Sequence, residues 1–200
     1  MNDMHLALHG VALKKHANAA AVAAAVGLEV ERADALLKEA AAGARLAEAQ
    51  GAYVLTPAGR MILDNQYARH YGELRADAAF VAAYDRFERV NVELKQIVTD
   101  WQILDVGGQK LRNDHSNADH DAAVLDRLGR LHERFEPILA QLIKGLPRLA
   151  VYRHELEQAL EEAEAGRIEW VSDAKIESYH TVWFEMHEDL LRVLGRTREE

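Results

Sequence analysis

Three groups of residues could do chemistry: two stretches place histidine beside groups that could share its proton, and a third set could steady a charge. The first, "RNDHSNADHDAAVLDRLGRLH", runs from Arg112 to His132 and sets His115, His120 and His132 among Asp114, Asp119, Asp121 and Asp126. Imidazole titrates near neutrality, so a histidine paired with a carboxylate suits a general base. His115 and Asp119 stand four apart, and His120 and Asp121 are adjacent. A metal reading would need ligands converging on one point. There is no HExxH, no acidic loop with calcium spacing and no cysteine, so no metal site is expected. The plain alternative is a polar loop that caps a helix, with Asn117 or Asp119 as the cap.

The second stretch, "SYHTVWFEMHEDLL", spans Ser178 to Leu191 and reads as a helix with two apolar stripes. Tyr179, Trp183, Met186, Leu190 and Val193 make one. His180, Phe184, His187, Leu191 and Leu194 make the other. A surface helix needs one such stripe. Two readings are open. The histidines are core residues bonded to carbonyls or carboxylates, or they enter a pocket walled by Trp183, Phe184 and Trp101 that suits a flat aromatic ligand. On a helix His180 and His187 lie about 10 Å apart along the axis, so they cannot share one proton. His180, in the first turn, is the expected active one, and His187 its buried structural partner. The third group is cationic: Lys110, Arg112 and Arg148 could steady an anion.

The elements that must position these residues are nearly all helical. Up to residue 65, three short helices lead into a hairpin around Gln50-Gly51. Asn18 is a cap for the second helix, and Gly27 is its stop. In the third helix Val30, Ala33, Leu37 and Ala40 face inward. "LTPAGR" follows, with Thr56 as N-cap and Pro57 at the first helical position. Helices, hairpin and "LTPAGR" together resemble a winged helix-turn-helix domain over residues 1–65. Residues 66–200 read as an antiparallel helical bundle. Phe80, Tyr84, Phe87, Asn91, Leu94, Val98 and Trp101 form one seam, and Val124, Leu128, Leu131, Phe135, Ile138 and Leu142 a second. Residues 105–121, "DVGGQKLRNDHSNADHD", read as a loop broken at Gly107-Gly108. Pro137 predicts a kink, Pro147 opens a helix to about Glu164, and residues 166–175 are an irregular connection. The fold class is mainly α.

Composition narrows the function. The formal net charge is −9. Acidic residues exceed basic ones in both halves, which argues against a nucleic-acid partner. The third helix, which would be the DNA reader, turns out Glu29, Glu31, Arg32, Asp34, Lys38 and Glu39. No stretch approaches a membrane span or a secretory leader, so a cytoplasmic protein is expected.

"LTPAGR", "DWQ" at Asp100 to Gln102, "NDHSNADHD", "LPRLAVY" and "SYHTVWFEMHEDLL" together resemble a helical module that accompanies phosphoenolpyruvate synthase-like and pyruvate phosphate dikinase-like aryl phosphotransferases. The type acts on hydroxyacetophenone or acetovanillone, in aromatic compound catabolism. The resemblance implies a hetero-oligomer. A large partner subunit would bind ATP and Mg and carry a phosphohistidine. This chain would bind no cofactor, would not act alone, and would hold a phenol for phosphorylation. It also implies that His180, His115 or His120 takes the phenolic proton. Trp101, Trp183, Phe184 and His187 would hold the ring, and Lys110, Arg112 and Arg148 the phosphoryl group. The alternatives are a winged-helix transcriptional regulator with a helical dimerisation or effector domain, and a structural adaptor.

Overall fold

The computed structural model describes residues 2–197, apart from the side chain of Val106. It is mainly helical, as the periodicity predicts, with two two-stranded antiparallel hairpins among the described residues. The chain divides into two compact units. One runs through Asp77 and also takes the stretch from Glu185 on; the other is residues 78–184.

The first unit begins with α1 (Asp3–Lys14), α2 (Ala19–Val26) and α3 (Val30–Ala42). Asn2 and Asn18 accept from the N–H groups of Met4 and Ala21, each at 2.9 Å, and so cap α1 and α2. Gly27, at φ 71°, ends α2 in the left-handed region. Ala33, Leu37 and Ala40 are buried as expected, with Leu36 beside them. Val30 is not: it is the first residue of α3 and stays 46 % exposed, ahead of the stripe that meets its neighbours. Strands β1 (Leu46–Ala49) and β2 (Ala52–Leu55) flank Gln50 and Gly51, both at positive φ, as a twisted two-residue hairpin requires. Ala17 bonds to Tyr53 on the other edge of β2.

Helix α4 (Pro57–Ala76) follows at once. The expected boundary between residues 65 and 66 falls inside it. The short motif "LTPAGR" has a distinct task at each position. Thr56 Oγ1 accepts the N–H of Gly59 at 2.9 Å and donates back to the chain at Ala44 and Arg45. Pro57 starts the helix where no N–H is needed. Gly59 lies against the backbone of Arg45, where any Cβ would collide with the carbonyl oxygen.

A buried polar chain also belongs to this unit. Tyr67 Oη lies 2.6 Å from His9 Nδ1, and His9 Nε2 lies 2.9 Å from Asp189 Oδ1. Desolvation lifts the Tyr67 phenol well above its ordinary range, so it stays protonated and donates to His9. Arg75 Nε donates to the Val193 carbonyl at 2.7 Å, closing the C-terminal end of the last helix.

The second unit is built on α5 (Ala78–Gln102) and α6 (Ala118–Gly145). Both predicted seams are buried throughout. The polar break at Asn91 is satisfied: its Oδ1 accepts from Trp183 Nε1 at 3.1 Å. Trp183 packs against Phe87 of α5 and Phe135 of α6. Between α5 and α6 the structure departs from the expected loop. Ile103–Val106 (β3) pairs with Gln109–Arg112 (β4) around Gly107-Gly108, which supply two positive φ angles. The two glycines are a turn, and the alternation around them is too short and too polar to read as strands. Asn117 is the cap of α6, accepting from His120 N–H. Helix α6 continues through Pro137. The carbonyl that Pro137 leaves without a partner is that of Glu133, and both residues are exposed to water. A 3-10 turn (Pro147–Leu149) leads into α7 (Ala150–Glu164). The expected irregular connection after it contains a one-turn helix, α8 (Glu169–Ser172).

The last helix, α9 (Tyr179–Leu194), is shared between the units in sequence. Its first stripe is buried along its whole length. The second is divided: His180 is half-buried and Phe184 is 42 % exposed, whereas His187, Leu191 and Leu194 are buried. The double stripe therefore begins only after Phe184. Asp189, wholly buried, lies on neither stripe.

Replacing Gly59 by Ala is expected to destabilise the chain by about 1–3 kcal/mol, the usual range for overpacking, because the clash is with backbone that cannot rotate away. Thermal or denaturant melting checks this, and a Gly51→Ala chain, where a Cβ has open space but a positive φ, should lose less.

Candidate functional site

The end of α5 sets the site. A helix leaves its last four carbonyls without intrahelical partners. Three of these are taken by one polar segment. The Asp100 carbonyl oxygen lies 2.9 Å from His120 Nε2. The Trp101 carbonyl accepts from Asn113 Nδ2 at 2.9 Å. The Gln102 carbonyl accepts the Asn113 backbone N–H at 2.8 Å. Asp100 also pairs with Arg127 of α6 at 2.6 Å. The side chain of Gln102 donates to Ser172 Oγ at 3.3 Å, from the end of α8. Every residue of "DWQ" thus grips the segment that contains "NDHSNADHD" or the wall opposite it.

His115 sits at the centre of this segment. It has a positive φ of 60°, unusual for a residue with a side chain. Asn113 Oδ1 accepts its N–H at 2.9 Å and holds the bend. The ring turns back so that Nδ1 lies 2.9 Å from Asp121 Oδ2. Its centroid is 4.6 Å from that of Trp101. The Asp121 side chain is 12 % exposed and that of His115 24 %. The carboxylate is therefore tucked in, and the imidazole reaches solvent.

That solvent is a cavity of about 800 Å³. Trp101, Asn113 and His115 line it on one side, with Lys110 and Arg112 from β4. Glu169, Ser172, Asp173 and Lys175 line it from α8 and the turn after it. Ile103, Leu111 and Ile168 give it an apolar rim, all three exposed. Elsewhere Arg32, Lys38, Arg127, Arg134 and Arg153 are paired with carboxylates. Among the described residues Lys110, Arg112 and Lys175 have no such partner. Three such cations border this one cavity. A general base, an aromatic floor, an apolar rim and cations together can accept a proton from a small hydroxyl compound and hold the charge that develops.

The site residues expected from the sequence divide sharply. His115, Trp101, Lys110 and Arg112 come together. His120 does not line the cavity, since its Nε2 is engaged with the Asp100 carbonyl. His115 pairs with Asp121, six residues on, and Asp119, four residues on, is exposed. Trp183 is packed among Phe87, Phe135 and Tyr179 rather than against a cavity. His180 and Phe184 do not line the cavity, and His187 is buried in the other unit. Arg148 lies in the 3-10 turn and outside the lining. His132, half-buried, faces the Tyr179 hydroxyl at 3.2 Å. Burial holds its imidazole below the ordinary histidine range, against the pull of Glu136. Asn113, Ser172 and Lys175 escaped the sequence reading. Asn113 and Asp121 stood inside the polar cluster, but nothing in the spacing singled them out. Ser172 and Lys175 come from a remote stretch that only the fold brings near. Among the described residues no three histidine or carboxylate groups could share a metal, and no helix is long and apolar enough to cross a membrane.

Trp101 and Trp183 are both buried, but only Trp101 borders the cavity. In a chain carrying Trp170→Phe and Trp183→Phe, added phenol is expected to quench or shift the remaining emission in a saturable way. The chain that keeps Trp183 alone should not respond. A linear response in both, as collisional quenching gives, would contradict a site beside Trp101.

No protein family, curated protein or solved structure matches this chain, so the geometry of the cavity stands without a relative beside it.

Proposed function

We propose that the chain is the small, non-ATP-binding subunit of a dikinase-type phosphotransferase, and that the cavity holds a phenolic acceptor. The observation that carries this reading is the His115–Asp121 pair on the wall of an aromatic-floored cavity ringed by Lys110, Arg112 and Lys175. The sequence resemblance supplies the rest: a large partner that binds ATP and Mg and presents a phosphohistidine. His115 takes the phenolic proton. The phenol oxygen attacks phosphorus, the P–O bond forms, and the P–N bond to the partner's imidazole breaks. The protein's part in such a transfer is positioning and charge stabilisation. Lys110, Arg112 and Lys175 meet the transferring phosphoryl group, and Asp121 balances the imidazolium that forms on His115. His115 thus replaces His180 as the base, and His180 has no assigned part.

A second reading is a winged-helix regulator, favoured by the order of three helices and a hairpin in the first unit. The acidic face of α3 opposes it, because Arg32 pairs with Asp3 and Lys38 with Asp34. A gel shift across salt concentration separates the two: tight, steeply salt-dependent, sequence-specific binding would favour the regulator.

With the large ATP-binding partner present, His115→Asn is expected to lower ATP-dependent phosphorylation of phenols by about 10²–10⁴-fold, the range for loss of a general base. His180→Asn should stay within about twofold, since that ring lies outside the cavity. Full transfer with His115→Asn, or its loss with His180→Asn alone, would sink the assignment.

A further inference from the structure

Asn113 stands between the base and its carboxylate, and its amide has no freedom left. Nδ2 lies 2.9 Å from the Trp101 carbonyl and 2.9 Å from Asp121 Oδ1. Oδ1 accepts the His115 N–H at 2.9 Å. A carbonyl and a carboxylate only accept, and a backbone N–H only donates, so one orientation of the amide satisfies all three. Both hydrogens of Nδ2 are then used. His115 Nδ1 approaches the same Nδ2 at 3.3 Å, but no hydrogen remains for it. Its partner is Asp121 Oδ2, which only accepts. The ring hydrogen must therefore be on Nδ1, and in the neutral ring Nε2 carries the lone pair. Among the described residues nothing bonds to Nε2.

We infer that Asn113 is a positioning residue that locks His115 in the Nδ1–H tautomer, so that Nε2 is the nitrogen offered to the cavity. The inference rests on the reading of His115 as the base. Three contributions act together. The amide fixes one oxygen of Asp121, which leaves the other for the ring. It denies Nδ1 a donor, which would otherwise stabilise the opposite tautomer. It bends the backbone at His115 so that the ring returns toward Asp121. A histidine in water populates both tautomers and favours Nε2–H, so the lock reverses the ordinary preference. No other side chain supplies two donors and one acceptor at this length. Aspartate has the shape without the donors, and it would set a second carboxylate against Asp121. Glutamine is a methylene too long for a residue this buried.

The test is the side-chain nitrogen spectrum of His115 in the isolated, isotope-labelled full chain, followed over a pH series and read in its neutral-ring form. The wild-type chain is expected to show a protonated, pyrrole-type Nδ1 and a pyridine-type Nε2. Asn113→Ala and Asn113→Asp should lose that pattern and move toward the Nε2–H form. A wild-type ring already in the Nε2–H form overturns the inference, whatever the variants do. So does retention of the Nδ1–H pattern in whichever variant folds. An Asn113 that only supports the fold would lower the melting temperature and leave the tautomer alone. In the assembled transferase the variants should lower kcat by about tenfold or more with KM little changed, as expected when orientation of a base is lost. The spectrum needs neither partner nor phenol, so a failure of the transferase reading leaves it intact and is told apart from a failure of the lock.

Discussion

The C-terminus of α5 must find partners for its last carbonyls, and the rest of the candidate site follows from how it does so. The chain turns directly into β3 without a glycine cap, so no Schellman-type closure is available. The carbonyls of Asp100, Trp101 and Gln102 wait for donors brought back by the sequence after the hairpin. Asn113 and His120 supply them. The Trp101 carbonyl is the buried one of the three, and leaving it alone would cost about 1–3 kcal/mol, so stability already favours this return. The hairpin β3–β4 is the device that makes it possible: it reverses the chain within two glycines and delivers Asn113 to the helix end that it left.

Capping and the proposed chemistry use different nitrogen and oxygen atoms of the same segment. His120 gives a ring nitrogen to a carbonyl and is thereby occupied. His115 gives Nδ1 to Asp121 and keeps its other edge toward the cavity. The two histidines of "NDHSNADHD" look alike in sequence and are opposite in use. The distinction comes from the one residue at positive φ between Asn113 and the cap at Asn117.

Periodicity made the helices and both seams legible, because burial of an apolar stripe is a property of spacing alone. The caps at Asn18 and Thr56 were legible for the same local reason, and the cap of α6 was narrowed to Asn117 or Asp119, of which Asn117 serves. The hairpin after α5 was not: four-residue strands with charged and polar members carry almost no alternation, and only the Gly107-Gly108 pair announced a turn. For the candidate site, the polar cluster, Trp101 and the two cations were visible as types. Pairing was not. His115 with Asp121 depends on a left-handed residue and on the first turn of α6, which no spacing rule supplies. The aromatic and histidine stripes of α9 drew the reading toward Trp183 and His180, yet Trp183 answers Asn91 inside the core. An indole that needs an acceptor and an asparagine inside an apolar seam explain each other there, with no ligand required.

The pairs His9–Asp189 and His115–Asp121 each join an imidazole to a carboxylate, and their contrast bears on which could do chemistry. In the first unit His9 is wholly buried, with Asp189 on one nitrogen and Tyr67 on the other. Both nitrogens are committed, and the phenol that completes the chain is held protonated by burial. Such a chain specifies packing, since each member fixes the next and the ring offers no nitrogen to a ligand. At His115 the carboxylate is just as close, but among the described residues the second nitrogen has no partner, and the ring borders a cavity. Proximity of histidine to aspartate is therefore not the signature of a reactive site in this protein. What sets the proposed site apart is an imidazole with one nitrogen fixed and the other without a partner among the described residues, beside Lys110, Arg112 and Lys175 on one cavity.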